Sequence, residues 1–372
     1  MVRVGEIATD TPLTKKEEGY LETIKENNKT HIVDPVELAS LIKQAGEVYN
    51  KHFDKKVWFE RSIFTNWTCG IADCKYCYLA TKPKLDMNAI RSQASILAES
   101  LVLKEMGWRV GYITGGLRVE KTEQIIDLLK KMEIVLGYKI MMNYGPYTKK
   151  EVAQFAPYIT GMGSAIESFD EELHKFICPS KPLPALLNYL GYLQEQNLKK
   201  LITIILGIGE KMSDIDTVIA YVKKYDITYV QLCFLKPQEY TVFDKVPSPD
   251  PDYMAWWAAK LRIACPELII KVALVKDRIT DFSLMLDAGV NCFSRYLVFN
   301  DFASPFALEL QEECQKAGRE LVGNFTDLPE MDLDLSVKDM DLDDELKKQV
   351  VKKAKGYYNR LRKVKEKFEK RV

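Results

Sequence analysis

The chain is 372 residues long, with 53 basic and 53 acidic side chains and 47% apolar residues. That suffices for one large core or two domains, and zero net charge argues against a protein built to coat nucleic acid. No stretch approaches about 18 uninterrupted apolar residues, so nothing reads as a membrane span, and no repeat of roughly 20–50 residues appears.

Met1–Thr30 is polar and charged and reads as a loose lead-in without a secretory signal, which points to the cytoplasm. Asp34-Pro35-Val36 reads as an N-cap followed by proline in the first turn, and apolar spacing carries that helix to about His52. Short apolar runs then alternate with amphipathic stretches. Strands are predicted at Val57–Asn66, Val110–Thr114, Lys139–Asn143, Tyr158–Ala165, Leu201–Leu206, Tyr229–Leu235, Leu268–Val275 and Val290–Phe293. Helices are predicted at Asn88–Met106, Lys121–Leu136, Leu186–Gln196, Ser213–Lys224, Asp252–Ala264 and Thr280–Ala288. This alternation predicts an α/β fold with a parallel sheet, and eight strands close a (β/α)8 TIM-type barrel. From Pro329 the composition turns acidic, and Leu346–Val372 is a basic stretch with apolar residues at helical spacing. The expected division is therefore a lead-in and helix over 1–52, a barrel over 53–328, and an acidic linker with a basic terminal helix over 329–372.

Chemistry concentrates in Cys69-Gly-Ile-Ala-Asp-Cys74-Lys-Tyr-Cys77, a C-x4-C-x2-C run. Three thiolates so close can hold three irons of a [4Fe-4S] cluster and leave the fourth open to a small molecule. Structural zinc wants a fourth ligand at matching spacing, and neither a cysteine nor one of the three histidines supplies it. Eight cysteines in 372 residues are too sparse for a disulfide framework. In a parallel barrel the active site lies at the C-terminal strand ends. Those ends carry Thr114-Gly115-Gly116, Asn143-Tyr144-Gly145, Ile166-Glu167-Ser168, Gly207-Ile208-Gly209-Glu210, Cys233 to Pro237 and Cys292 to Tyr296. Each motif alone also reads as ordinary turn chemistry, and Gly207-Ile-Gly209 lacks the third glycine of a dinucleotide fingerprint.

The cysteine run, Tyr112-Ile-Thr-Gly-Gly116, Ile166 to Lys175 with Cys178-Pro179, and Gly207-Ile-Gly-Glu210 together resemble the radical S-adenosylmethionine (SAM) superfamily. They resemble more narrowly its biotin synthase-like branch, which holds biotin synthase, lipoyl synthases, methylornithine synthase and the hydrogenase maturases. The likeness spans roughly residues 50–325. It departs from the usual C-x3-C-x2-C spacing by one added residue, and Leu117 stands where that superfamily has glutamate. The strands that hold a second cluster's cysteines in biotin synthase hold none here, which points away from that enzyme itself. By position, the resemblance implies cluster ligation by Cys69, Cys74 and Cys77, and Tyr76 flanking the adenine. It implies Thr114, Gly115 and Gly116 at the methionine amino group, Glu167 at the ribose or amino group, and Gly207, Gly209 and Glu210 against the adenine. The implied reaction is reductive cleavage of SAM, after which a 5′-deoxyadenosyl radical abstracts hydrogen from a small molecule.

Further residues bear on the substrate. Cys233 and Cys292 read first as small buried hydrophobes, and second as ligands of a second Fe-S cluster, sulfur donors or radical quenchers. Cys178, Cys265 and Cys314 fall in helical patterns and read as structural. Lys236, Arg278 and Arg295 read equally as surface charge or as anchors for an anionic substrate. Asn143 is a further candidate substrate residue, and Tyr144 and Tyr147 read equally as pocket wall or aromatic core. Rearrangement or fragmentation in cofactor or amino-acid biosynthesis is expected ahead of sulfur insertion, with RNA modification through the basic tail as a further alternative. An electron donor such as ferredoxin or flavodoxin is the expected protein partner.

Overall fold

The computed structural model describes residues 13–370. Two helices lead in, α1 (Lys15–Thr30) and α2 (Pro35–His52). Eight parallel strands follow: β1 (Lys56–Phe64), β2 (Arg109–Thr114), β3 (Met141–Asn143), β4 (Gly161–Glu167), β5 (Lys199–Leu206), β6 (Tyr229–Phe234), β7 (Ile269–Ala273) and β8 (Cys292–Ser294). Each pairs with the next, and β1 pairs with both β8 and β2, so the sheet closes as a (β/α)8 barrel. The crossovers hold α3 (Gln93–Glu105), α4 (Thr122–Leu136), α5 (Lys149–Phe155), α6 (Glu171–Ile177), α7 (Leu183–Glu195), α8 (Asp214–Lys224), α9 (Pro251–Ala264) and α10 (Phe282–Asp287). After β8 come α11 (Val298–Asp301), α12 (Pro305–Lys316), β9 (Glu320–Val322), α13 (Leu333–Lys338) and α14 (Asp344–Glu369).

Every predicted strand is present, shifted by a few residues. The short β9 was not predicted; it pairs with Lys56–Trp58 of β1, below the point where β2 begins. The lead-in is a correction. Its described part is not loose but helical, opened by a capping box in which Thr14 and Glu17 satisfy each other's backbone N–H groups. The expectation for residues 1–12 lies outside the described residues. Helix α1 buries Leu21 and Ile24 against Leu173, Phe176 and Ile208, a second apolar cluster beside the main core. The acidic linker likewise contains α13, which buries Leu333 and Val337. Helix α14 buries Val350, Val351, Ala354 and Leu361 and leaves most of its lysines exposed. Tyr357 on α14 accepts a hydrogen bond from Arg91 (3.1 Å), which ties the tail to the barrel.

Candidate active site

The cysteine loop leaves the end of β1 through Asn66, whose fully buried side chain organises the turn. Its Oδ1 accepts the Gly116 N–H (2.8 Å), and its Nδ2 donates to both oxygens of Glu120 (3.0 and 2.8 Å). Gly116 must be glycine, because a Cβ there would lie 1.7 Å from the Thr68 carbonyl oxygen and 2.5 Å from Cys69 Cα. The turn after β2 therefore supports the loop from below. The sulfur of Cys69 faces the backbone N–H groups of Leu117 (3.3 Å) and Ala72 (3.4 Å). Leu117 thus contributes its backbone at the position where the superfamily has glutamate. Ala72 sits at φ 48°, a left-handed turn within the widened Cys69–Cys74 spacing.

All eight cysteines are free thiols. Burial, then Cys74 and Cys69, push the Cys77 thiol up to about 11, so the three thiols of the loop lie within electrostatic reach of one another. The neighbouring Cys178 thiol and burial raise Cys74 further. Among the described residues, no three Cys, His, Asp or Glu side chains converge tightly enough for a single ion. Thiolates that each bind a different iron need no such convergence, so this donor set fits a cluster better than a lone zinc.

Cys77 opens onto a cavity of about 440 Å³ at the C-terminal mouth of the barrel. Of the predicted residues, Tyr76, Thr114, Gly115, Asn143, Glu167, Cys233, Lys236 and Arg295 also line it. Glu167, at φ 64° and 4% exposed, ends β4. Its Oε1 accepts the Tyr76 hydroxyl (2.5 Å), while its buried Oε2 has no partner. Burial and the Glu167 carboxylate raise the Tyr76 phenol, so it stays a donor. Arg295 is open to the cavity yet walled in by protein, and among the described residues its guanidinium has no ion pair or hydrogen bond. The Cys233 thiol beside it is raised by burial, with Arg295 opposing.

Other predicted residues lie elsewhere. Gly116 is covered by the cysteine loop. Glu210 folds back, its carboxylate accepting the N–H groups of Gly207 (2.7 Å), Ile208 (3.0 Å) and Gly209 (3.2 Å). A Cβ on Gly207 would strike Pro249 and one on Gly209 would strike Ile24 of α1, so this turn packs under α1 and away from the cavity. Tyr144 is buried with its hydroxyl on Thr65 Oγ1 (2.5 Å). Arg278 pairs with Asp281 (3.4 Å) and donates to the Pro249 carbonyl (3.0 Å), bracing a loop. Cys292 is fully buried outside the cavity, near the Glu60–Lys271 ion pair in the barrel core, and burial drives its thiol up.

Two residues at the site were missed. Cys178 is not a helix-interior thiol but caps α6 beside Cys74. Lys181, 4% exposed, donates to the Ala165 carbonyl (2.9 Å) and stands 3.6 Å from Glu167. Cys178-Pro179 belongs to the motif that carries the resemblance, and a lysine three residues on was the available signal.

Residues 68–222 match the family model described as the radical SAM superfamily. An uncharacterised protein of Methanocaldococcus jannaschii is 29% identical over 348 residues, covering 88% of this chain and 96% of its own length. Biotin synthase of Bradyrhizobium diazoefficiens is 22% identical over 263 residues, 68% of this chain and 80% of its own. Among solved structures, methylornithine synthase superposes with a TM-score of 0.62 at 19% identity, covering 75% of this chain and 85% of that one. The hydrogenase maturase HydG of Carboxydothermus hydrogenoformans gives 0.63 at 16% identity, covering 95% and 94%. The matched segment holds the cysteine loop and strands β2 to β5, so a radical SAM domain occupies this part of the closed barrel, and the solved structures share the barrel fold.

Proposed function

We propose that the protein reductively cleaves SAM at a [4Fe-4S] cluster held by Cys69, Cys74 and Cys77, and abstracts hydrogen from a small anionic substrate inside the barrel. The observation that carries this reading is Glu167: its buried Oε2 is unpartnered beside a cavity that Cys77 also lines. A carboxylate oxygen so placed suits a ribose hydroxyl or an ammonium group. Bound together, the cluster and SAM supply a one-electron cleavage to methionine and a 5′-deoxyadenosyl radical. The protein's own groups bind and orient. Tyr76 fixes one oxygen of Glu167 and leaves the other free. Gly115 leaves backbone open at the cavity wall. Arg295, without a partner, provides the anion site, and Lys236 adds charge at the cavity wall.

Rearrangement or fragmentation is favoured over sulfur insertion because Cys233 lines the cavity and Cys292 does not. One thiol is a poor basis for a second cluster. The electron would arrive from a ferredoxin- or flavodoxin-type donor at the segment after the cysteine loop, where Leu85 and Met87 are exposed. The test is anaerobic reconstitution followed by SAM and dithionite. About four irons per chain and formation of 5′-deoxyadenosine are expected, and about six to eight irons would favour sulfur insertion. Glu167→Gln should weaken SAM binding roughly tenfold, the loss of one charge-assisted hydrogen bond. Protein carrying four irons that yields no 5′-deoxyadenosine would refute the reading.

A further inference from the structure

The turn after α6 has no part in the chemistry above, yet it sets two buried groups against the cysteine loop. The Ile177 carbonyl accepts the Lys75 N–H (2.9 Å), which brings the neighbouring residues Cys178 and Cys74 together. Cys178 is fully buried, and Cys74 packs against the apolar cluster that contains it. Three residues on, the Lys181 N–H closes the turn onto the Cys178 carbonyl (3.0 Å). Buried His174 secures it further, its Nε2 donating to the Lys181 carbonyl (2.7 Å). The Lys181 ammonium therefore has a fixed place. It donates to the Ala165 carbonyl (2.9 Å) and stands 3.6 Å from the carboxylate of Glu167, which accepts the hydroxyl of Tyr76 from between Cys74 and Cys77 in the cysteine loop.

We propose that Cys178 and Lys181 raise the reduction potential of the cluster at its Cys74 corner. The inference rests on the cluster reading above. Reduction adds one electron to a group already held by three thiolates, with the Glu167 carboxylate nearby. A fixed cation in a buried site stabilises that added charge far more than one in water would. A neighbouring S–H that donates to a ligating sulfur withdraws electron density in the same direction. Neither residue touches the reacting atoms; both are positioning residues that act through the cluster's ligands and their surroundings.

The test is an EPR-monitored redox titration of anaerobically reconstituted protein without SAM. Lys181→Met should shift the reduction equilibrium about tenfold toward the oxidised form, a fall of about 59 mV for one electron. Cys178→Ala should lower the midpoint as well. Lys181→Arg should hold the parent's value, because the charge remains. Cys265→Ser, on the far end of α9, should leave it unchanged. Should Lys181→Met fail to load iron, Lys181→Gln, whose amide keeps a donor for the Ala165 carbonyl, carries the same expectation. A midpoint equal to the parent's in either the Cys178 or the neutral Lys181 variant overturns the proposal. Failure of the parent protein to load about four irons would instead defeat the cluster reading itself, a separate result.

Discussion

Gly116→Ala tests whether the turn after β2 supports the cysteine loop. The added Cβ would start 1.7 Å from the Thr68 oxygen, where ordinary contact begins at 3.4 Å. Cys69 Cα and Cβ stand at 2.5 and 2.6 Å, so the obstruction is mostly backbone and has no rotamer to change. The loop must retreat by more than an ångström. Retreat stretches the Gly116 N–H bond to Asn66 (2.8 Å), the Gly70 N–H bond to Leu117 (2.8 Å) and the Leu117 N–H contact with the Cys69 sulfur (3.3 Å). Overpacking that side chains can absorb costs about 1–3 kcal/mol, and each weakened hydrogen bond adds about 1 kcal/mol. We expect a loss of about 3–5 kcal/mol in urea denaturation and a sharp fall in iron per chain after reconstitution. Gly191→Ala is the matched control. A Cβ there meets nothing within 4 Å inside α7, so it should stabilise by about 0.5–1 kcal/mol and leave the iron content intact. A Gly116→Ala protein with the parent's urea midpoint and full iron would refute the argument.

Two further outcomes follow from the ion pairs. Lys271 and Glu60 form a buried pair within the barrel, with Lys271 also under the rings of Tyr112 (4.9 Å) and Tyr229 (5.7 Å). Lys271→Met strands the Glu60 carboxylate and should cost about 3–5 kcal/mol in urea denaturation, whereas Lys271→Met with Glu60→Leu should recover most of that; equal losses in both would refute it. On α1, the hydrogen bond from Lys75 (2.8 Å) holds the Glu17 carboxyl down at about 2 from 4.5. A depressed carboxyl stabilises the folded state above its unfolded value, so docking of α1 should be intact above pH 4.5 and weaken as pH falls toward 2. Glu17 is partly exposed, which screens the effect, and amide hydrogen exchange along α1 is the sensitive readout. Glu17→Gln should remove that acid-dependent rise in exchange, and an unchanged profile would count against the pairing.

Local patterns were legible without coordinates. The three cysteines lie within one short loop, so their spacing alone made them the candidate cluster ligands. The strands β1 to β8 announce themselves through apolar runs broken at regular intervals, because both faces of a barrel strand are covered. Lead-in helix α1 was hidden because half its residues are charged, and Tyr20, Leu21, Ile24 and Asn28 turn inward toward a surface that exists once α6 and the turn after β5 are in place. The strand-end residues looked alike in sequence and parted in space. Arg295 was left free in the cavity while Arg278 was consumed by Asp281 and Pro249. Glu167 kept an oxygen unpartnered while Glu210 spent both on its own turn. Lys181 and Cys178 acquired their place beside Cys74 from one backbone hydrogen bond, Lys75 to Ile177, joining segments about a hundred residues apart. Which polar groups are left without partners depends on every neighbour that packs around them. The sequence by itself determined the barrel and the three thiols; the tertiary structure alone decided which of the remaining charges stayed free to act.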